Sequence, residues 1–264
     1  MTQISGIPRY LKNIFSYREL IFNLAAKDFK VRYKTAVLGF LWTLLNPLLM
    51  MLILSLVFSW IIKIDIEKYP VFLLAGLLPW YFFSFSLSSG TLSVVDNANL
   101  IKKIYFPREI ILFSVVIANL INFLISLAIL FIFMQAFKIH VTFLVLFLPG
   151  LIILECLFVL GISFIAATLH TFFRDTKYII ELMLLVGFYI TPVFYPLSMV
   201  PEGVRSVYLA NPMTCFIILY RDLLLYGKIS SAAMIMYTIA SSVIIFVFGL
   251  ALFKKHQKIF ADYV

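Results

Sequence analysis

Asn99-Leu-Ile-Lys-Lys-Ile-Tyr-Phe-Pro-Arg-Glu109 is a short basic, aromatic island between two long apolar runs, and its reading decides the fold. So short a polar stretch cannot hold a domain. Its charges therefore sit at one membrane face while the runs on either side cross the bilayer. If that face is the cytoplasm, the rest of the topology is set by it.

Composition supports this reading. The chain has 264 residues, 64% of them hydrophobic and only 12% charged, with a mean hydropathy of +1.08, which is far from a soluble globular domain. Unpaired backbone amides are costly in hydrocarbon, so the spans must be helices or a closed barrel. Continuous apolar runs without two-residue alternation select helices, and the fold class is all-α. The formal charge of +9 reflects Lys and Arg retained on the cytoplasmic side, since no solvated basic domain exists to carry nucleic acid. Cys156 and Cys215 fall in different apolar segments and read as small buried hydrophobes. No secretory signal pattern is expected at the N-terminus, where Arg9, Lys12 and Arg18 mingle with Glu19 and large apolar residues.

Residues 17–34 read as an amphipathic helix lying on the membrane. Phe22, Ala25, Ala26, Phe29 and Tyr33 form its apolar stripe, and Asn23, Lys27, Lys30 and Lys34 its polar one. Six spans come next, over residues 37–62, 71–95, 110–134, 143–169, 179–193 and 231–253. Asn46-Pro47 is expected to bend the first, and Gly76 and Pro79 to break the second. The polar ladder Ser84, Ser86, Ser88, Ser89, Thr91 and Ser93 assigns the end of the second span to a protein-facing position. Between the last two spans, residues 196–227 are punctuated by Pro196, Pro201 and Pro212. Asn211-Pro212 is a helix start and Gly227 a stop. The helix between them would reach only about 22 Å, short of a crossing, and it carries Arg221-Asp222. It is therefore expected to dip in and lie at the outer surface.

Charge tests the count. With six spans, fifteen of the 21 basic residues, including Lys102, Lys103, Arg108, Arg174, Lys177, Lys254, Lys255 and Lys258, lie on the side of the opening loop together with both termini. Had residues 212–226 crossed as a seventh span, the basic tail would lie outside, against the positive-inside rule.

No phosphate-binding Gly-x-x-x-x-Gly-Lys-Ser/Thr loop occurs, no metal-spaced cluster of ligands, and no nucleophile-base arrangement; His140, His170 and His256 are scattered at span ends. An enzyme reading has nothing to stand on, and no metal or cofactor is expected on this chain. Glu155 lies near the middle of the fourth span, with Asn119 and Asn122 of the third as the nearest hydrogen-bond candidates by depth. A proton relay through Glu155 would need further titratable groups, and none shares its depth.

The ordered series Leu38-Gly39-x-x-Trp42-x-x-x-x-Pro47, Gly76-x-x-Pro79-Trp80, Leu100-Ile101-x-x-x-x-Phe106-Pro107-Arg108, Phe173-Arg174-Asp175, Thr191-Pro192-x-x-Tyr195 and Asn211-Pro212 resembles the permease subunits of ABC exporters for lipid-linked polysaccharides such as O-antigen, capsule or teichoic acid. That resemblance implies a homodimer in the cytoplasmic (inner) membrane, bound to two copies of a separate cytoplasmic ATPase that holds ATP and Mg. It makes Leu100, Ile101, Lys102, Lys103, Phe106, Pro107 and Arg108 the ATPase-coupling element within residues 99–109, with Ile104 and Phe106 supplying an apolar plug and Lys and Arg pairing with acidic groups. By the same resemblance, Arg174 and Asp175 belong to a cytoplasmic gate, residues 196–227 to outer gating helices, and Trp42, Phe188, Tyr189 and Tyr195 to an aromatic path for the glycan. The rival readings are a related permease for a smaller lipid or drug, and a proton-coupled transporter using Glu155.

Overall fold

The computed structural model describes residues 15–33, 41–63 and 66–264, and among them every regular element is helical. The chain runs through α1 (Arg18–Tyr33), α2 (Leu41–Ser55, continued by a π-helical turn Leu56–Ile61), α3 (Tyr69–Asp96), α4 (Ala98–Lys103) and α5 (Glu109–Ala136). It continues through α6 (Leu148–Phe172, preceded by the 3-10 turn Phe143–Phe147), α7 (Thr176–Ile190), α8 (Glu202–Ala210), α9 (Pro212–Arg221, continued by a π-helical turn Asp222–Tyr226), α10 (Ala232–His256) and α11 (Phe260–Tyr263). The protein is an all-helical, multi-pass membrane protein. Among the described residues five helical stretches, Leu41–Ile61, Tyr69–Asp96, Glu109–Ala136, Phe143–Phe172 and Ala232–Tyr263, are long and apolar enough to cross a bilayer.

α3 is the axis of the bundle. It packs against α2, α5, α6, α7 and α9, and Phe72, Leu73, Leu74, Leu77, Phe82 and Val94 are all buried along it. The expected break at Gly76 and Pro79 does not occur, because α3 is one continuous helix through both. Neighbouring helices on nearly every side hold the backbone that Pro79 would otherwise free. Pro47 likewise lies inside α2, and the irregularity falls later, in the π-helical turn at 56–61. The ladder does face protein, and four of its hydroxyls, those of Ser84, Ser89, Thr91 and Ser93, bond back along their own helix, as Thr91 to Leu87 O at 2.7 Å and Ser93 to Gly90 O at 2.7 Å. Small size is what the contact with α6 uses. Gly90 sits directly against Ser163 of α6.

Three expectations shift. In α1 the buried side is Ile21, Leu24 and Ala25, packed on α5, while Phe22 is exposed. The contact with α5 sets that face, so it lies one residue away from the stripe read from the sequence; the side chains of Phe29 and Tyr33, together with Lys34 and residues 37–40, lie outside the described residues. α7 has 15 residues and reaches only about 22 Å, so it is not among the membrane-length helices. Finally, α9 is packed inside the helical bundle and not exposed on it. Phe216 and Tyr220 are fully buried, and the helix wedges between α3 and α6.

Candidate functional site

Two regions gather the chemistry: the elbow between α3 and α5, and a polar groove among α2, α3 and α5. The elbow is α4, a six-residue helix, leading into an extended turn in which Ile104 has φ −129° and ψ 135°. Extension alternates the side chains. Tyr105 therefore points fully outward, Ile104 is 56% exposed, and Phe106 turns back into the bundle at 6%. The apolar knob that the elbow presents is Ile104 with Tyr105, flanked by exposed Lys102 and Lys103. Phe106 and Ile101 are buried and anchor it, whereas Leu100, Pro107 and Arg108 are half-buried at its base. Helical spacing overlooks Tyr105, whereas the alternation that starts at Ile104 picks it out.

The elbow is held from outside. Lys27 Nζ of α1 donates to Asn97 Oδ1 at 3.2 Å, and Asn97 Nδ2 donates to Ser93 O at 2.9 Å. At the other end of the elbow, Lys254 of α10 approaches Glu109 Oε1 at 3.9 Å. Burial pulls the Arg108 guanidinium below its ordinary value, and Asp262 and Tyr105 oppose that pull.

The groove has a volume of about 530 Å³ and is lined by Trp42, Asn46, Tyr81, Phe85, Ser88, Ser89, Asn119, Asn122 and Ser126 among others. Rings alternate there with amides and hydroxyls, a lining suited to a ligand that carries both C–H faces and hydroxyl groups. Trp42 belongs to this groove. Phe188, Tyr189 and Tyr195 do not. They cluster at the end of α7, where Phe188 packs on Trp80 at 6.0 Å and on Phe194 at 5.6 Å, and Tyr195 Oη donates to Tyr189 O at 2.9 Å. The four aromatics expected to share one path are thus divided between two faces of α3. Arg174 donates through Nη2 to Tyr263 O at 3.1 Å, and Asp175 is exposed at the start of α7.

A third cluster, unforeseen from sequence, fixes α9. Asn211 caps the helix as expected, its Oδ1 accepting from Met213 N at 3.0 Å, and its Nδ2 donates to Thr191 Oγ1 at 3.0 Å. Gly227 ends the segment at φ +56°, a conformation suited to glycine. Between them three consecutive residues reach in three directions. Tyr220 Oη donates to Glu155 Oε2 at 2.7 Å, so the partner of Glu155 is α9 and not Asn119 or Asn122. Arg221 donates to the carbonyls of Pro192 at 2.7 Å and Val193 at 2.5 Å, with its guanidinium 3.5 Å from the centre of the Phe72 ring. Asp222 pairs with Lys228 at 3.3 Å and accepts from the Ser230 hydroxyl. Helical steps of about 100° separate neighbouring side chains, and a Tyr-Arg-Asp run inside an apolar 15-mer was the available signal.

A family model described as ABC-2 type transporter matches residues 19–225. The chain belongs to the ABC-2 type transporter family. This ABC-2 chain is 34% identical over 256 residues to the O-antigen export system permease protein RfbA of Myxococcus xanthus, covering 96% of this chain and 98% of that one. It is 33% identical over 246 residues to the protein of the same name from Klebsiella pneumoniae, covering 92% and 94% respectively. It is also 28% identical over 243 residues to the polysialic acid transport protein KpsM of Escherichia coli, covering 89% and 92%. The ABC-2 match takes in the elbow, the groove and Tyr220, Arg221 and Asp222 of the α9 cluster.

Proposed function

We propose that this chain is the membrane-spanning permease subunit of an ATP-driven exporter that moves a lipid-linked polysaccharide across the cytoplasmic membrane. It works as a homodimer with two copies of a separate ATPase, which hold the ATP and Mg. Both termini and the elbow lie in the cytoplasm. The observation that carries the reading is the elbow itself, an outward Ile104-Tyr105 knob beside Lys102 and Lys103 on a base anchored by Ile101 and Phe106. A loop that only marked topology would need the charges but not a buttressed aromatic tip. The groove supports the substrate class, because rings set among amides and hydroxyls match the two-sided chemistry of a sugar, and the relatives named for O-antigen export and polysialic acid transport point the same way.

Six crossings remain the favoured count. Phe164 of α6 packs against Phe253 of α10 at 5.0 Å, and Phe172 edge-on to His256 at 5.7 Å, so these two helices run parallel. Parallel helices favour one return crossing in the chain between them, and α7 extended by residues 191–195 is the passage proposed. α8 and α9 then form a re-entrant pair that enters from the outer side and leaves by it, serving as the outer gate. α1 lies at the inner interface with Phe22 toward lipid, and Arg174 and Asp175 stand at the inner mouth.

Substitutions at two places separate this function from its rivals. Replacing Ile104 by Asp together with Tyr105 by Ala should lower ATPase co-purification at least tenfold and abolish export, while the protein still inserts at normal levels; this corresponds to losing contacts of about 1.4 kcal/mol or more. Retention of both at wild-type levels would remove the coupling role. The Glu155→Gln variant should keep near wild-type export, because a glutamine carbonyl oxygen still accepts from Tyr220. A proton-coupled transporter would instead stop.

A further inference from the structure

The positive-inside rule accounts for Lys254, Lys255 and Lys258 but not for the packing of the residues around and after them. Past His256 the chain turns through Gln257–Ile259 into α11, and Phe260 is fully buried there. Its ring lies 5.1 Å from Phe253 and 6.1 Å from Phe172. Tyr263 packs edge-on to Phe172 at 4.9 Å, and its carbonyl accepts the bond from Arg174. On its other side α11 packs against α4, and Asp262 supplies the opposing charge to Arg108 at the base of the elbow. In the last turn of α10, Lys254 approaches Glu109. Residues 254–263 thus touch both the elbow and the α6–α7 turn, which a topogenic tail has no reason to do.

We infer that residues 257–264 form a strap that joins the elbow to the α6–α7 turn, and that Phe260 and Asp262 are positioning residues for the coupling of nucleotide hydrolysis to transport. The inference rests on the function proposed above. A push on a six-residue helix seated on a soft base is absorbed locally; seated on a packed aromatic cluster shared with α6 and α10, it moves those helices with it. Phe260 supplies the cluster's centre. Asp262 sets how α11 meets the elbow, and being exposed it adds little to folding.

The test uses the whole transporter, permease with its ATPase, in sealed vesicles loaded with the lipid-linked glycan. It reads ATP hydrolysed and glycan moved in the same sample. Phe260→Ala and Asp262→Lys should each leave the ATPase bound and hydrolysis within about twofold of wild type, yet lower glycan moved per ATP about tenfold, a usual scale for coupling between sites. Phe260→Leu should restore most of the ratio, and the reversal Arg108→Asp with Asp262→Arg should outperform either single change. If Asp262→Lys keeps the wild-type ratio, or if Phe260→Ala lowers hydrolysis and transport in equal proportion, the strap is a structural prop and the inference is wrong. If the unsubstituted complex moves glycan without ATP, the proposed function itself fails, and that result is distinct from either outcome for the strap.

Discussion

Replacing Arg221 by Ala is expected to remove most of the folded, export-competent protein. Arg221 is 4% exposed, and its Nη groups cover the carbonyls of Pro192 and Val193, with the Tyr195 carbonyl and the Phe72 carbonyl further off at 3.4 Å. Those of residues 192, 193 and 195 come after the end of α7, where no helical ladder continues to satisfy them. A hydrogen bond to a charged group contributes about 1.5–3 kcal/mol, and a buried acceptor left bare costs about 1–3 kcal/mol, so the substitution should destabilise by roughly 3–5 kcal/mol after allowing for non-additivity. Thermal unfolding in detergent and export in cells both read it. Arg221→Lys should rescue little, because a single ammonium cannot span acceptors arranged for a planar fork. Gly76→Ala approaches the same cluster from α3, since an added Cβ would stand 2.6 Å from both Arg221 Nη2 and Val193 O, and it should give a milder form of the same loss. Wild-type stability of Arg221→Ala would show that water or lipid can replace the guanidinium.

The second large effect is expected where α6 and α10 meet. A Cβ on Gly161 would lie 2.6 Å from the backbone of Ile245 and Phe246, and one on Gly249 would run into the Gly161 carbonyl. Both obstacles are backbone, so neither can swing away. Gly249→Val should force the helices apart and cost upwards of about 3 kcal/mol, the high end for overpacking, with a matching fall in the yield of folded protein. Gly150 and Gly203 have nothing within 4 Å of an added Cβ, and alanine at either should leave the unfolding free energy within about 0.5 kcal/mol of wild type or slightly above it. Equal effects at all four glycines would contradict a close backbone crossing and point to flexibility instead.

Much of the fold is legible in the sequence because a bilayer leaves a chain few choices. Apolar length marks the long helices to within a few residues, Asn211-Pro212 and Gly227 bound their segment correctly, and the elbow emerges from charge alone. What hydropathy does not carry is depth and direction. The charged pair Arg221-Asp222 reads as a surface feature, yet Arg221 is buried because backbone carbonyls, invisible in sequence, supply its partners. The partner of Glu155 is missed for a related reason: matching residues by depth along straight spans cannot include Tyr220, which arrives on α9 from a segment that is not membrane-length. At the elbow the outward aromatic is Tyr105 and not Phe106, since helix gives way to extended chain at Ile104. The tail shows the same limit, with its lysines readable as topology and the burial of Phe260 dependent on an aromatic cluster drawn from α6 and α10.

The most direct trial of ATP-driven export is to place the purified chain in vesicles with and without its ATPase, load the lipid-linked glycan on the side that bears the elbow, and measure its appearance on the other side. Flux is expected only when the ATPase and hydrolysable ATP are present, lost when Ile104 and Tyr105 are replaced, and indifferent to a pH gradient. Flux by the chain alone, driven by a proton gradient and abolished by Glu155→Gln, would contradict it.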